Sequence, residues 1–472
     1  MTHQFNATIL REYDIRGIIG QTLGAEDARA IGRGFGTLVR RAQSATGGGS
    51  KVAVGYDGRL SSPMLEHALV EGLTSTGVDV RRIGMSATPM LYYAEASAED
   101  VHGGIQITGS HNPPDYNGFK MVFQGRPFFG ADIVRLGEMA AAGDWDNGVG
   151  STEQVDIIDA YVDRLLEGLD GIDLEVLARL KVGWDAGNGA AGPALEKLAA
   201  RLPGEHHLLF TEVDGKFPNH HPDPTVPENL EDLAALVSVK SLDFGVAFDG
   251  DGDRIGAIDG EGRIIWGDQL LMIYAEELLR RRPGSTIIAD VKASAALFDS
   301  VAEHGGKPLM WKTGHSLIKS KMKEVGAPLA GEMSGHVFFA DGYYGFDDAL
   351  YAGIRLIAAS ARLGKSVTQL RGEMKPMLNT PELRFQVDES RKFAAIDEVT
   401  ARLANSTDDV NGTDGVRVTS KDGWWLLRAS NTQDVLVARA ESDTQEGLDR
   451  LLAQIDAQLE ASGLERGPQA GH

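Results

Sequence analysis

The chain has 472 residues, 42% of them hydrophobic and 24% charged, with a formal net charge of −22 and no cysteine. At roughly 150 residues per domain this length allows about three or four domains, and an acidic surface excludes general binding to nucleic acid or anionic membrane. The missing cysteines exclude disulfides, thiolate metal sites and cysteine nucleophiles, and no apolar run is long enough for a signal peptide or a membrane span, so a cytoplasmic protein is expected.

In chain order, Tyr13-Asp-Ile-Arg-Gly17 comes first and puts Arg16 where it reaches a phosphoryl group or pairs with a surface carboxylate. Lys51-Val-Ala-Val-Gly-Tyr-Asp-Gly is a short apolar run ending in Asp57 and a loop, followed by a helical stretch. The same pattern recurs at Lys181-Val-Gly-Trp-Asp-Ala-Gly-Asn-Gly and at Thr286-Ile-Ile-Ala-Asp-Val-Lys. Short buried strands alternating with helices predict βαβ units, and the recurrence predicts three related α/β domains. From Pro376 the pattern changes. Leu383-Arg-Phe-Gln-Val, Val416-Arg-Val-Thr, Trp424-Trp-Leu-Leu-Arg and Val435-Leu-Val-Ala-Arg read as strands, and Thr444 to Ala461 as a closing helix, which predicts a smaller α+β domain. The expected domains are residues 1–150, 151–258, 259–375 and 376–465, with linkers near Gly148-Gly150, Asp259-Gly262 and Gly372-Pro376.

Four motifs carry chemistry. Thr108-Gly-Ser-His-Asn-Pro-Pro-Asp-Tyr-Asn-Gly-Phe-Lys120 follows the apolar strand Gly104-Ile-Gln-Ile, so Ser110 sits at a strand's carboxyl end, where α/β proteins place ligand-binding groups. Gly109 and Pro113-Pro114 make a stiff turn that projects the Ser110 hydroxyl beside His111 and Lys120, as a nucleophile or a phosphate carrier. The flanking residues are not those of the Gly-x-Ser-x-Gly hydrolase elbow. In Phe248-Asp-Gly-Asp-Gly-Asp-Arg254, alternate residues Asp249, Asp251 and Asp253 point one way, and the glycines let three carboxylates converge on one hard cation. An EF-hand is excluded, because its Gly and Glu positions hold Arg254 and Gly260. In Gly331-Glu-Met-Ser-Gly-His336, Glu332 and Ser334 offer an acceptor and a hydroxyl to adjacent sugar hydroxyls, and a polar turn between strands reads equally well. Arg428-Ala-Ser-Asn-Thr432 makes a phosphate cradle or an ordinary hairpin turn. Asn219-His-His-Pro-Asp-Pro224 reads as a rigid connector rather than a metal loop.

In this order the motifs resemble those of the α-D-phosphohexomutase superfamily, and within it the bacterial phosphomannomutase/phosphoglucomutase branch. The likeness extends to Trp311-Lys-Thr-Gly-His-Ser and Gly345-Phe-Asp-Asp and runs over nearly the whole chain. It implies an α/β fold of three related α/β domains plus a smaller C-terminal α+β domain around a central cleft. It also implies interconversion of hexose 1-phosphate and hexose 6-phosphate, of mannose or glucose, through a phosphoserine and a hexose 1,6-bisphosphate. By resemblance Ser110 is the phosphoserine, and with Asp249, Asp251 and Asp253 it holds Mg²⁺. Arg16, Lys120, Arg254 and His336 resemble the family's groups for charge stabilisation and proton transfer. Tyr13, His111, Lys292, His315, Glu332, Ser334, Arg428, Ser430, Asn431 and Thr432 resemble its substrate contacts. The implied partners are small sugar phosphates alone, without nucleic acid or membrane, and a monomer is expected. The chain departs from the branch at Tyr56, where arginine is common, at Ala293-Ser294, where Cys-Thr is usual, and at Gln433-Asp434, which replaces a frequent Thr-Pro. A phosphoglucosamine mutase usually carries Gln where Met333 stands, so Met333 favours glucose and mannose. A paralogue that only binds sugar phosphate needs neither Ser110 nor the three aspartates.

Overall fold

The computed structural model describes residues 2–44, 50–431 and 433–467. Thr432 of the expected phosphate cradle lies outside these residues.

Each expected α/β unit contains the strand that its apolar run predicts, and in each the carboxyl end of a strand delivers a motif. In the first sheet the order is Ile15–Ile18, Tyr116–Phe123, Gly103–Ile107, Lys51–Tyr56, Asp79–Met85 and Thr152–Gln154. Its centre is parallel, and Tyr116–Phe123 returns antiparallel beside Gly103–Ile107, so the Ser110 loop is the tight connection between them. In the second sheet Ile264–Ile265, Ile255–Asp259, Phe244–Phe248, Lys181–Asp185 and Glu205–Leu209 lie side by side. The aspartate loop joins Phe244–Phe248 to its antiparallel neighbour Ile255–Asp259. The third sheet runs Lys307–Trp311, Thr286–Asp290, Leu329–Gly331 and Val337–Phe339, and Glu332 to His336 connect its last two strands. Each of the first three sheets thus contains an antiparallel hairpin whose turn is a motif, and the recurring apolar runs form a parallel strand of the same sheet.

Sheets and expected boundaries differ in two places. Thr152–Gln154 pairs with Asp79–Met85 of the first sheet although it follows residue 150. Asp259 to Gly262 is the turn of a hairpin inside the second sheet, where the Asp259 carboxylate accepts from the Glu261 and Arg263 amides.

The fourth sheet is antiparallel: Leu378–Asn379, Val435–Ser442, Gly423–Ala429, Val416–Ser420 and Asp409–Asn411, with Leu383–Gln386 also on Val435–Ser442. The closing helix is Gln445–Ala461, capped by the Thr444 side chain. A further helix, Glu389–Leu403, lies between the first strands and the rest. Its apolar residues Ala395, Ile396 and Val399 follow helical spacing and are buried in this domain's core, and Asp388 caps its start.

One hydrophobic core runs through the second and third domains and reaches Tyr92 of the first. The helix Ala349–Leu363 is buried along most of its length because it packs against the second sheet and against the helices Gly267–Arg281 and Ile158–Leu166. A Cβ on its Gly353 would meet the Trp184 ring at 2.9 Å, so this close approach needs glycine. No helix of the described residues is long and apolar enough to cross a membrane.

Candidate active site

Ser110 has φ of +51°, in the left-handed region that costs a residue with a Cβ. The conformation is held by Arg59, which is 1% exposed. Its guanidinium donates to four carbonyls of the loop: Ser110 (2.8 Å), Asn112 (2.6 Å), Pro113 (2.5 Å) and Tyr116 (3.0 Å). Asp57 orients it at 3.2 Å and accepts from the Gly109 amide at 3.1 Å. A Cβ on Gly109 would lie 2.4 Å from the guanidinium carbon, so the motif's glycine is the space that the arginine fills. The sequence motifs give Arg59 no role. We expect Arg59→Ala to strand four carbonyls and cost about 3 kcal/mol or more. Arg59→Lys, with three donors and no planar fork, keeps the charge but not the loop. Thermal denaturation beside an activity assay checks both: Ala loses stability and activity, Lys mainly activity.

The aspartate loop docks against this turn. Ser110 Oγ lies 3.0 Å from Asp249 Oδ2 and 3.2 Å from His111 Nδ1. Gly250 passes so close that a Cβ would meet the Ser110 carbonyl at 2.5 Å. Lys120, midway along Tyr116–Phe123, reaches Asp251 at 2.7 Å and Asp253 at 2.5 Å, and Thr88 Oγ1 donates to Asp251 at 2.5 Å. All three aspartates are fully buried. Burial, with Asp251 and Asp253 alongside, pushes Asp249 well above the usual carboxylate range, and burial raises Asp253 too. Burial alone would raise Asp251, but Lys120 and Thr88 hold it below its ordinary value. The same aspartates outweigh the burial of Lys120 and raise it.

One lysine for three buried carboxylates leaves negative charge uncompensated. Lys120 occupies the Oδ2 atoms of Asp251 and Asp253, whereas their buried Oδ1 atoms have no hydrogen-bond partner. One carboxylate oxygen from each of Asp249, Asp251 and Asp253 fits within a 4.8 Å cluster. Hard oxygens, converging and short of donors, fit a divalent cation. Asp253, His336 and Asp347 form a second cluster of the same size. There Asp347 already carries Lys319 at 2.8 Å and His336 Nδ1 at 2.9 Å, so the first cluster is the one lacking positive charge.

His336 joins this centre to the loop that begins at Glu332. Arg254 Nε donates to its Nε2 at 3.1 Å, which leaves Nδ1 to face Asp347 and, at 3.6 Å, Asp253. His315 stacks on it with centroids 5.4 Å apart, and burial and Lys319 push His315 well below its ordinary pKa, so it is neutral. Burial, then Arg254, depresses His111 likewise. Arg16 reaches the serine loop through Asn112 Oδ1 at 3.1 Å and pairs with Asp14 at 2.5 Å.

The remaining predicted residues line the cleft further along. Glu332 Oε1 accepts from the Gly314 amide at 2.5 Å, and Ser334 Oγ donates to Glu332 Oε2 at 3.1 Å. Lys292 pairs with Glu382 at 3.0 Å and does not reach the serine centre. Tyr13 Oη accepts from Asn431 Nδ2 at 2.7 Å and donates to the Thr313 carbonyl at 2.9 Å, joining the first, third and fourth domains. Burial raises its pKa to about 12, so it stays a phenol. Arg428 Nε lies on Asp414 at 2.9 Å, and Ser430 Oγ accepts from the Gln433 amide at 3.2 Å. Gln433, at the departure from the Thr-Pro pattern, is itself anchored by Arg384 at 3.1 Å and Lys392 at 3.0 Å. His220 pairs with Asp185 at 2.9 Å, in keeping with a rigid connector.

Sequence reading missed Arg59, Asp57, Thr88, Lys319, Asp290 and Asp347. Asp57 and Asp290 end the recurring apolar runs and Asp347 lies within Gly345-Phe-Asp-Asp, whereas Arg59, Thr88 and Lys319 carried no motif signal.

Four family models match in series. They are the phosphoglucomutase/phosphomannomutase alpha/beta/alpha domains I (residues 7–142), II (159–262) and III (266–377) and the C-terminal domain (382–458). The chain is 46% identical over 455 residues to a phosphomannomutase/phosphoglucomutase of Pseudomonas aeruginosa, covering 96% of each chain. It is 42% identical to a phosphoglucomutase of Neisseria gonorrhoeae, covering 96% of this chain and 97% of that one. A crystal structure of a phosphoglucomutase/phosphomannomutase family protein from Burkholderia thailandensis superposes with a TM-score of 0.89 at 45% identity, covering 99% of both. With four models in register and relatives matched end to end, the chain belongs to the phosphoglucomutase/phosphomannomutase family of α-D-phosphohexomutases.

Proposed function

We propose that this phosphohexomutase, in the cytoplasm, interconverts hexose 1-phosphate and hexose 6-phosphate of glucose and mannose through phosphoserine 110 and a hexose 1,6-bisphosphate. The observation that carries the reading is Ser110 Oγ held on a strained turn 3.0 Å from a buried aspartate cluster short of positive charge. The free sugar hydroxyl forms an O–P bond to the phosphoryl group, the bond to Ser110 Oγ breaks, and the hydroxyl proton passes to a base. After the bisphosphate reverses in the cleft, its other phosphoryl group returns to Ser110. Asp249, Asp251, Asp253 and Ser110 would hold Mg²⁺, which when bound offsets charge on the transferring group. Lys120, Arg254 and Arg16 supply positive charge beside the serine. His336 is the group we assign to the hydroxyl proton: its Nδ1 faces Asp347, and its Nε2, which now accepts from Arg254 Nε, takes or returns the proton once Arg254 turns to the phosphoryl group. Arg428, Ser430 and Asn431 hold the phosphate that does not react, and Glu332 with Ser334 reads adjacent sugar hydroxyls.

Glucose and mannose differ only at C2, and no group assigned to the sugar reads that position. One hydrogen bond made to a single epimer would separate them by roughly 5- to 150-fold, at about 1–3 kcal/mol. We therefore expect kcat/KM for glucose 1-phosphate and mannose 1-phosphate within about tenfold of each other, and a lower value for glucosamine 1-phosphate. Coupled assays on the three sugars test the function. No turnover of any of them, or a strong preference for the amino sugar, overturns it.

A further inference from the structure

Thr286–Asp290 is flanked on one side by Lys307–Trp311 and on the other by Leu329–Gly331, both parallel to it. Asp290 ends this strand, is fully buried, and spends its two oxygens on the loops that follow those neighbours. Oδ2 accepts from Thr313 Oγ1 at 3.1 Å, and Oδ1 accepts from the Met333 amide at 3.1 Å. Its charge is countered by Lys292 Nζ at 3.9 Å. Thr313 uses its other two polar groups on other domains: its amide donates to Asp414 of the fourth domain at 3.1 Å, and its carbonyl accepts from Tyr13 of the first at 2.9 Å. Asp414 is also the partner of Arg428. Hydrogen bonds therefore run unbroken from the arginine of the phosphate cradle, through Asp414, Thr313 and Asp290, to the backbone between Glu332 and Ser334. Asp290 is fully buried, and Thr313 and Asp414 spend the polar groups named here on neighbouring residues.

We propose that Asp290 and Thr313 are positioning residues that hold the sugar-reading loop in register with the phosphate cradle, so that docking of the fourth domain sets Glu332 and Ser334 for the sugar. The inference rests on the reading of Glu332 and Ser334 as sugar contacts. A buried carboxylate has a fixed number of donors, so losing Thr313 Oγ1 leaves Oδ2 without that hydrogen bond and loosens both loops at once. Burial already lifts Asp290 to a pKa of about 6, so its charge depends on these few partners.

The test uses Thr313→Val, which keeps the shape and the backbone contacts, beside Asp290→Ala, which removes both acceptors. Substrates are glucose 1-phosphate and its 3-deoxy and 4-deoxy analogues. In the unaltered enzyme each deoxy sugar should lose roughly 5- to 150-fold in kcat/KM, because its partner is left unpaired. In both variants that penalty should shrink to about threefold or less, with KM for glucose 1-phosphate raised and Ser110 still phosphorylated. A purely structural defect would lower all three substrates equally. If the variants keep the full deoxy penalty, the positioning role is overturned while the sugar reading stands. If the unaltered enzyme shows no penalty, Glu332 and Ser334 are not the readers, and the proposal falls with that assignment.

Discussion

Ser110→Ala is expected to lose at least about a thousandfold in turnover, roughly 4 kcal/mol of barrier, while keeping its affinity for sugar phosphate. The side chain that carries the phosphoryl group is gone, but the groups assigned to the sugar and its distal phosphate lie elsewhere, at Glu332, Ser334, Arg428 and Asn431. The loop should keep its shape, because Arg59 grips its backbone carbonyls rather than the serine side chain. Alanine retains the strain of the left-handed φ, so a modest drop in Tm is expected and complete unfolding is not. Steady-state kinetics with calorimetric titration of glucose 1-phosphate separates the two effects. Wild-type turnover, or loss of binding in parallel with turnover, contradicts the assignment.

Asp251→Asn should cost about a hundredfold or more in activity and weaken divalent metal binding by at least about tenfold. Stability is expected to change little, because two opposing terms are involved. Lys120 loses one of its two buried counter-charges but keeps Asp253 at 2.5 Å. Asp249 and Asp253 lose a neighbouring negative charge that raises the pKa of both. Asparagine can still accept from Thr88 through its amide oxygen, so that hydrogen bond survives. Metal titration followed by activity measurement decides the matter, and full activity of the parent enzyme in excess chelator contradicts a metal at this cluster.

What was legible in the sequence follows from how far apart the cooperating residues lie. The serine and aspartate loops are contiguous strings, so their glycines, prolines and carboxylates announce a turn and a cation site without knowledge of the fold. The three recurring runs in the α/β domains are continuous apolar strands, and the structure has them at Lys51–Tyr56, Lys181–Asp185 and Thr286–Asp290. Arg59 was opaque because its meaning lies in carbonyls more than 50 residues away. The adjacent pair Asp347 and Asp348 shows the same limit. Asp347 takes Lys319 and His336, whereas Asp348 caps Ala349–Leu363 through the Tyr351 amide and accepts from Tyr161 and Tyr343. Burial lifts Asp348 to a pKa of about 6, while Lys319 and His336 overcome burial and hold Asp347 far lower. Nothing in the string Phe-Asp-Asp separates a helix cap from a histidine partner. The hairpin at Asp259 to Gly262 was read as a linker because Asp and Gly serve both equally well.

The central claim is that one phosphoryl group resides on Ser110 and passes to the sugar. Intact-mass measurement of the protein, with fragmentation to locate the group, before and after brief incubation with excess glucose 1-phosphate and Mg²⁺, tests it most directly. The account predicts a single phosphoryl group on Ser110 that is lost on incubation and restored by hexose 1,6-bisphosphate. A phosphoryl group on another residue, or full turnover by a protein that carries none at any stage, would contradict it.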